Sequence, residues 1–167
     1  MPSRVTRRAF TVSYDKPVNK LITSVGILPL LTVDKTLSSV SLDVKALWDT
    51  GATVTCIKPA LFERLKLRLF NLTGHTTLSG LGGDVTAKVT LVSLFLTPGL
   101  AIEYRPVYVA NFPGDADILI GMDIIGKGDF AVCNADNKTS FSFAVPPFPD
   151  RIDLAEKTEA ANKHDTA

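Results

Sequence analysis

The sequence predicts an all-β fold with one or two short helices, and three observations carry that prediction. Short apolar runs recur along the chain, and several alternate apolar with polar residues at period two, as half-buried strands do. Turn signals such as Pro98-Gly99 and Ala135-Asp136-Asn137-Lys138 separate these runs. A single stretch, Lys58 to Leu67, carries apolar residues at helical spacing.

Taken in order, Val18 to Leu31 supplies Leu21, Ile22, Val25, Ile27, Leu28 and Leu30, interrupted by Gly26 and Pro29. Val40, Leu42 and Val44 alternate with Ser41, Asp43 and Lys45, and this strand runs through Ala46-Leu47-Trp48 into Asp49-Thr50-Gly51. The helix follows, with Pro59 in its first turn and Leu61, Phe62, Leu65 and Leu69 on one face. Val85, Ala87, Val89 and Leu91 alternate with Thr86, Lys88 and Thr90, and that strand extends to Leu96. Ile102 to Val109 is the next strand, with Pro106 pointing to an edge or an irregularity. Ile118-Leu119-Ile120 runs into Gly121, and Asp123 to Gly126 forms one helical turn. Phe130 to Cys133 and Ser140 to Val145 make a hairpin. The expected organisation is an N-terminal arm over residues 1–17, one domain over 18–149, and a polar tail over 150–167 that is a frayed helix or disordered.

Composition narrows the function. The chain has 167 residues, 46% hydrophobic and 21% charged, enough for one domain with a substantial core. Lys+Arg number 18 against 17 for Asp+Glu, so no charge imbalance points to nucleic acid or an anionic membrane. Arg4, Arg7 and Arg8 read as a solvated arm. No apolar stretch approaches the roughly 20 residues that cross a bilayer, and no apolar segment follows the N-terminal charges as in a signal peptide. A cytoplasmic location is expected. Cys56 and Cys133 fit neither a zinc pattern nor a disulfide framework, and read as small buried hydrophobes.

Asp49-Thr50-Gly51-Ala52 is the sharpest chemical feature. A carboxylate at the end of an apolar strand is fixed in position and partly desolvated, and glycine beside it permits close backbone approach and backbone conformations closed to other residues. One such carboxylate cannot serve as both base and acid in hydrolysis. Two about 3 Å apart can, because like charges leave the pair sharing one proton. The tripeptide alone is weak, arising by chance in about one chain in thirty of this length. Other candidates are weaker. His75 reads as a solvated loop histidine, and a Cys56–His75 thiol dyad lacks an orienting third residue. Gly80, Gly82 and Gly83 lack the Lys-Ser/Thr of a phosphate loop. Asp115, Asp117, Asp123 and Asp129 do not follow calcium-loop spacing. Trp48 reads as core packing.

Context sharpens the motif. The run Ala46 to Ile57, with Asp-Thr-Gly-Ala at its centre, resembles the active-site strand and loop of retropepsins, the single-lobe aspartic peptidases. Gly80-Leu81-Gly82-Gly83 begins 31 residues beyond Asp49 and resembles the glycine-rich tip of that family's flap hairpin. Ile118-Leu119-Ile120-Gly121, with Gly121 72 residues past Asp49, is similar to the family's second signature. The helix after the active-site loop, and Gly128 to Val132 followed by a hairpin, look bacterial or phage-borne in style.

The resemblance implies a single-lobe acid-protease barrel and an aspartic endopeptidase without metal or organic cofactor. It implies a homodimer, because each chain supplies one aspartate, and a peptide or protein substrate held under the flaps. Asp49 would be the acid/base, Thr50 would hydrogen-bond across the dimer, and Gly51 would offer its N–H to the carboxylate. Ala52 stands where pepsin-like enzymes usually have a hydroxyl residue, so an optimum at about pH 5–6 is expected. Ile120 and Gly121 would form the second-signature loop. Many retroviral members place acidic residues after Asp-Thr-Gly-Ala and an arginine after the second glycine, where this chain has Val54, Thr55 and Met122. A non-catalytic peptide-binding or regulatory module on the same fold is the alternative, and an unrelated β-barrel binding domain a third reading.

Overall fold

The computed structural model describes residues 6–30, 32–33, 41–70, 77–80, 83–86, 88–150 and 152–165. Among these residues, eleven strands and three α-helices follow in order: β1 (Arg8–Ser13), β2 (Leu21–Pro29), β3 (Leu42–Trp48), β4 (Cys56–Ile57), α1 (Pro59–Arg64), β5 (Thr77–Gly80), β6 (Gly83–Thr86), β7 (Lys88–Thr97), β8 (Leu100–Val109), β9 (Ile118–Ile120), α2 (Met122–Ile125), β10 (Asp129–Cys133), β11 (Ser140–Val145) and α3 (Leu154–Asp165). Six strands close a barrel in the order β2-β3-β9-β4-β8-β7, and β1-β11-β10 form a separate sheet. Closure leaves the barrel without a free edge.

The alternation in β3 translates directly into burial. Val44, Ala46 and Trp48 face inward at 4% exposure or less, while Asp43 and Lys45 are exposed. Ile27, Ile57, Leu94, Val107, Ile118 and Ile120 fill the same interior. The three-stranded sheet lies against Trp48, whose ring meets Phe10, Phe130, Phe141 and Phe143 at centroid distances of 5.4–5.8 Å. Aromatic pairs at such separations add about 0.5–1.5 kcal/mol each beyond the apolar area they bury. The indole N–H of Trp48 donates to Thr23 Oγ1 at 3.0 Å, so the ring is satisfied as core.

Several elements differ from the sequence reading. Helix α1 ends at Arg64 rather than Leu67, because Lys66 takes a left-handed φ of 48° and the Leu67 N–H turns back to Phe62 O. Leu69 therefore leaves the helix face and stands 49% exposed. Of the run read as one strand, Val85 and Thr86 lie in β6, whereas residues 88–96 lie in β7. Arg8 to Ser13, read within an arm, is strand β1, with Phe10 and Val12 packed against the core. Pro106 sits in β8, paired with Leu91 of β7. The irregularity lies beside it, at a register shift where Tyr104 takes a φ of 52°. The hairpin between β10 and β11 turns on Asp136 and Asn137, both at left-handed φ, which short polar side chains tolerate. After Pro147 the chain is polar, and α3 is exposed along its described side chains.

Candidate active site

The parallel pairing of β3 with β9 builds the site. Trp48 lies opposite Ile120, so both strands deliver their following residues to the same end of the barrel. The Asp49 N–H donates to Ile120 O at 3.0 Å, which ties the first residue beyond β3 to the last residue of β9. Strand β4 pairs antiparallel with the other edge of β9, so β9 is gripped on both sides. The sequence after Asp49 must therefore loop across the end of β9 before entering β4.

Within that loop the Gly51 N–H donates to Asp49 Oδ1 at 2.9 Å, and the Ala52 N–H donates to Asp49 O at 3.2 Å. A Cβ on residue 51 would lie 3.2 Å from Asp49 Oδ1. Close approach is thus what glycine provides here. Its other expected use, a left-handed φ, is not taken: among the described glycines only Gly99 and Gly114 adopt one. Asp49 and Ala52 are half-buried, whereas Thr50 and Gly51 are exposed.

The second loop locks onto the first. The Met122 N–H donates to Ala52 O at 2.8 Å, and the Asp123 N–H to Thr53 O at 3.1 Å. Gly121 is buried against the backbone of Val54, where a Cβ would come within 2.6 Å of the carbonyl carbon and oxygen. Thr55 completes the clasp. Fully buried, it donates through Oγ1 to Asp123 Oδ1 at 2.7 Å and accepts from the Gly121 N–H at 3.2 Å. This pair went unread in the sequence, although the missing acidic and basic residues marked the place. A neutral hydroxyl bonded to a carboxylate thus joins the two loops.

Of the expected flap residues, Gly80 and Gly83 face each other at the end of the β5–β6 hairpin. Leu81 and Gly82, between them, lie outside the described residues, as does His75. Cys56 is half-buried, and burial together with the nearby Asp123 carboxylate pushes its thiol up to about 11. The thiolate is the nucleophilic form. At pH 8 about one Cys56 in a thousand is ionised, so it is a poor nucleophile. Iodoacetamide at pH 8 is expected to modify exposed Cys133 and leave Cys56 unreacted, read as one alkyl group per chain by mass spectrometry. Two groups added at similar rates would contradict the environment described for Cys56. Among the described residues, no three His, Cys, Asp or Glu side chains gather as metal ligands. No described helix is long and apolar enough to cross a membrane.

A six-stranded closed barrel with few helices, entered at one end by an Asp-Thr-Gly loop and a glycine loop, defines a single-lobe aspartic protease fold. Residues 35–124, more than half of the chain, match the family model described as aspartyl protease, and the chain belongs to that family. Comparison with curated proteins yields no match. Among solved structures, the chain is similar to an inhibitor-bound EIAV protease, at 27% identity and a TM-score of 0.48 over 69% of this chain and 92% of that one. It is also similar to a retropepsin-like aspartic protease from Rickettsia conorii, at 14% identity and a TM-score of 0.49 over 84% and 96%. The retroviral protease-like domain of Ddi1 from Leishmania major is matched at 20% identity and a TM-score of 0.44, over 75% and 95%.

Proposed function

We propose that the protein is an aspartic endopeptidase that acts as a homodimer, with water activated between the Asp49 carboxylates of two copies. The observation that carries this reading is the state of the Asp49 loop. Its carboxylate is oriented by the Gly51 N–H, yet Thr50 and Gly51 remain exposed on a single chain. The equivalent position on the second loop offers no partner, because Ile120 and Gly121 carry no carboxylate and Asp123 is engaged with Thr55. The second acid must then come from a second copy.

In the assembled site the ionised member of the pair takes a proton from the water, and the protonated member polarises the scissile carbonyl. Thr50 braces the two loops against each other. The β5–β6 hairpin, with Gly80 paired to Gly83 at its end, closes over an extended peptide. No cofactor takes part, and the cytoplasm suits the two unbridged cysteines.

A peptide-library cleavage assay at about pH 5–6, run over a dilution series beside sedimentation analysis, tests the proposal. Cleavage per chain is expected to fall as the dimer dissociates. Constant cleavage per chain in a fully monomeric range would overturn it, and peptide binding without cleavage would favour a non-catalytic module.

A further inference from the structure

Strand β9 joins the two loops of the site, yet its own sequence does not say where it should sit. Ile118, Leu119 and Ile120 are all buried, at 0%, 9% and 0% exposure, with β3 on one edge and β4 on the other. In a strand with one polar face, a one-residue slip exposes apolar side chains and buries polar ones. Here a slip exchanges one aliphatic side chain for another, so burial discriminates weakly. A strand of three residues also has few ladder bonds to hold a register. The setting comes from its flanks. At the C-terminal end it comes from Gly121, packed on the Val54 backbone.

At the N-terminal end it comes from Asp117, which bonds to both neighbours of β9 at once. Its N–H donates to Lys45 O at 2.8 Å, and its Oδ2 accepts from the Lys45 N–H at 3.0 Å. On the other side its carbonyl accepts at 3.0 Å from the N–H of Lys58, just beyond β4. The carboxylate therefore serves β3 as an acceptor one residue before the Ala46–Ile118 pair. The side chains of Lys45 and Lys58 reach the loop before it. Lys45 Nζ meets Asp115 Oδ2 at 3.0 Å, and Lys58 Nζ donates to Gly114 O. The Lys45–Asp115 pair joins side chains 62% and 71% exposed, too solvated to fix a register.

We propose that Asp117 is a positioning residue for the Asp49 loop. Its carboxylate sets the register of β9 against β3, and β9 carries that register about 10 Å to the bond between the Asp49 N–H and Ile120 O. The inference rests on the aspartic-peptidase reading above and deepens it by adding a residue from the far end of β9. The Lys45–Asp117 bond is exposed, so water satisfies the Lys45 N–H when the carboxylate is removed, and the fold survives. What is lost is the fixed placement of β9. A displacement of about 1 Å at a reacting group costs about 100-fold in rate.

The test compares Asp117→Ala with Asp117→Asn, at a concentration where sedimentation shows wild type and variants in the same state of association. Alanine is expected to lower kcat by about 10- to 100-fold with KM nearly unchanged. It should also speed hydrogen exchange at the Asp49 amide by about tenfold or more, while amides of β7 and β8 keep their rates. Asparagine keeps an oxygen for the Lys45 N–H and is expected to restore both readouts. Wild-type kcat in the alanine variant would overturn the proposal, and so would a loss of kcat with Asp49 exchange unchanged. An asparagine variant as slow as alanine would overturn it too, by assigning the effect to charge. If the alanine variant fails to fold, Asp117→Glu, which sets the acceptor one methylene further out, takes its place. It is expected to show the same two losses, and wild-type values for both would overturn the proposal. Failure of the protease reading is separable. A wild type that cuts no peptide overturns that reading, while exchange at Asp49 still decides the role of Asp117.

Discussion

Asp49→Asn is expected to lower peptide cleavage by at least about a thousandfold, the scale of losing a positioned acid–base group, while leaving the fold in place. Asparagine keeps an oxygen that can accept the Gly51 N–H now bonded to Asp49 Oδ1, and the bonds from the Asp49 and Ala52 backbones are untouched. The loop therefore keeps its shape and loses only a group able to take and return a proton. The melting temperature at fixed protein concentration should move by no more than about 2 °C, as for a substitution outside the core. Cleavage assays and thermal melts on the same preparations read both halves of the expectation. Full cleavage by the asparagine variant would remove Asp49 from the mechanism.

The second large effect falls on stability. Gly121→Ala is expected to destabilise the protein by about 3 kcal/mol or more, the upper range for overpacking a close-packed site. The cause is space rather than backbone conformation, since Gly121 has an ordinary φ of −97°. Its added Cβ would meet Val54 at 2.6 Å from the carbonyl carbon and oxygen and 2.9 Å from the nitrogen. Backbone cannot swing aside as a side chain can. Relief would separate the two loops and stretch the bonds from Met122 to Ala52, from Asp123 to Thr53 and from Gly121 to Thr55. Cleavage should fall with stability, because the same contacts hold the Asp49 loop. Urea denaturation at fixed protein concentration measures the shift, and a midpoint equal to wild type would mean that the two loops are not packed as described.

Most of the barrel was legible because its strands are half-buried and so alternate. Val44, Ala46 and Trp48 show this in β3, and Ile118-Leu119-Ile120 marks β9 as an apolar run gripped by two neighbours. Trp48 and Ile120, each the last residue of a strand that runs on toward a glycine, lie side by side. What stayed hidden was either too short or decided at long range. Strand β4 has two residues, below any periodic signal. Strand β1 has its alternation in Phe10 and Val12, but its place in a sheet depends on β11, which lies some 130 residues away. The helix ended early because a left-handed Lys66 turned the chain, and no glycine announced it. At the site, Asp49, Gly51 and Gly121 carried recognisable patterns. Thr55 did not, since a buried threonine becomes significant only when Asp123 is seen to meet it.

The central claim is that two chains each supply one Asp49, and subunit mixing tests it most directly. Wild type at constant concentration, well above its dimer Kd, is mixed with increasing Asp49→Asn and allowed to exchange. If each active unit needs both carboxylates, random pairing leaves about half of the wild-type activity at equal mixture and about a tenth at a ninefold excess of variant. Activity that stays constant as the variant is added, with exchange verified by mass, would show that one chain's Asp49 suffices and would contradict the account.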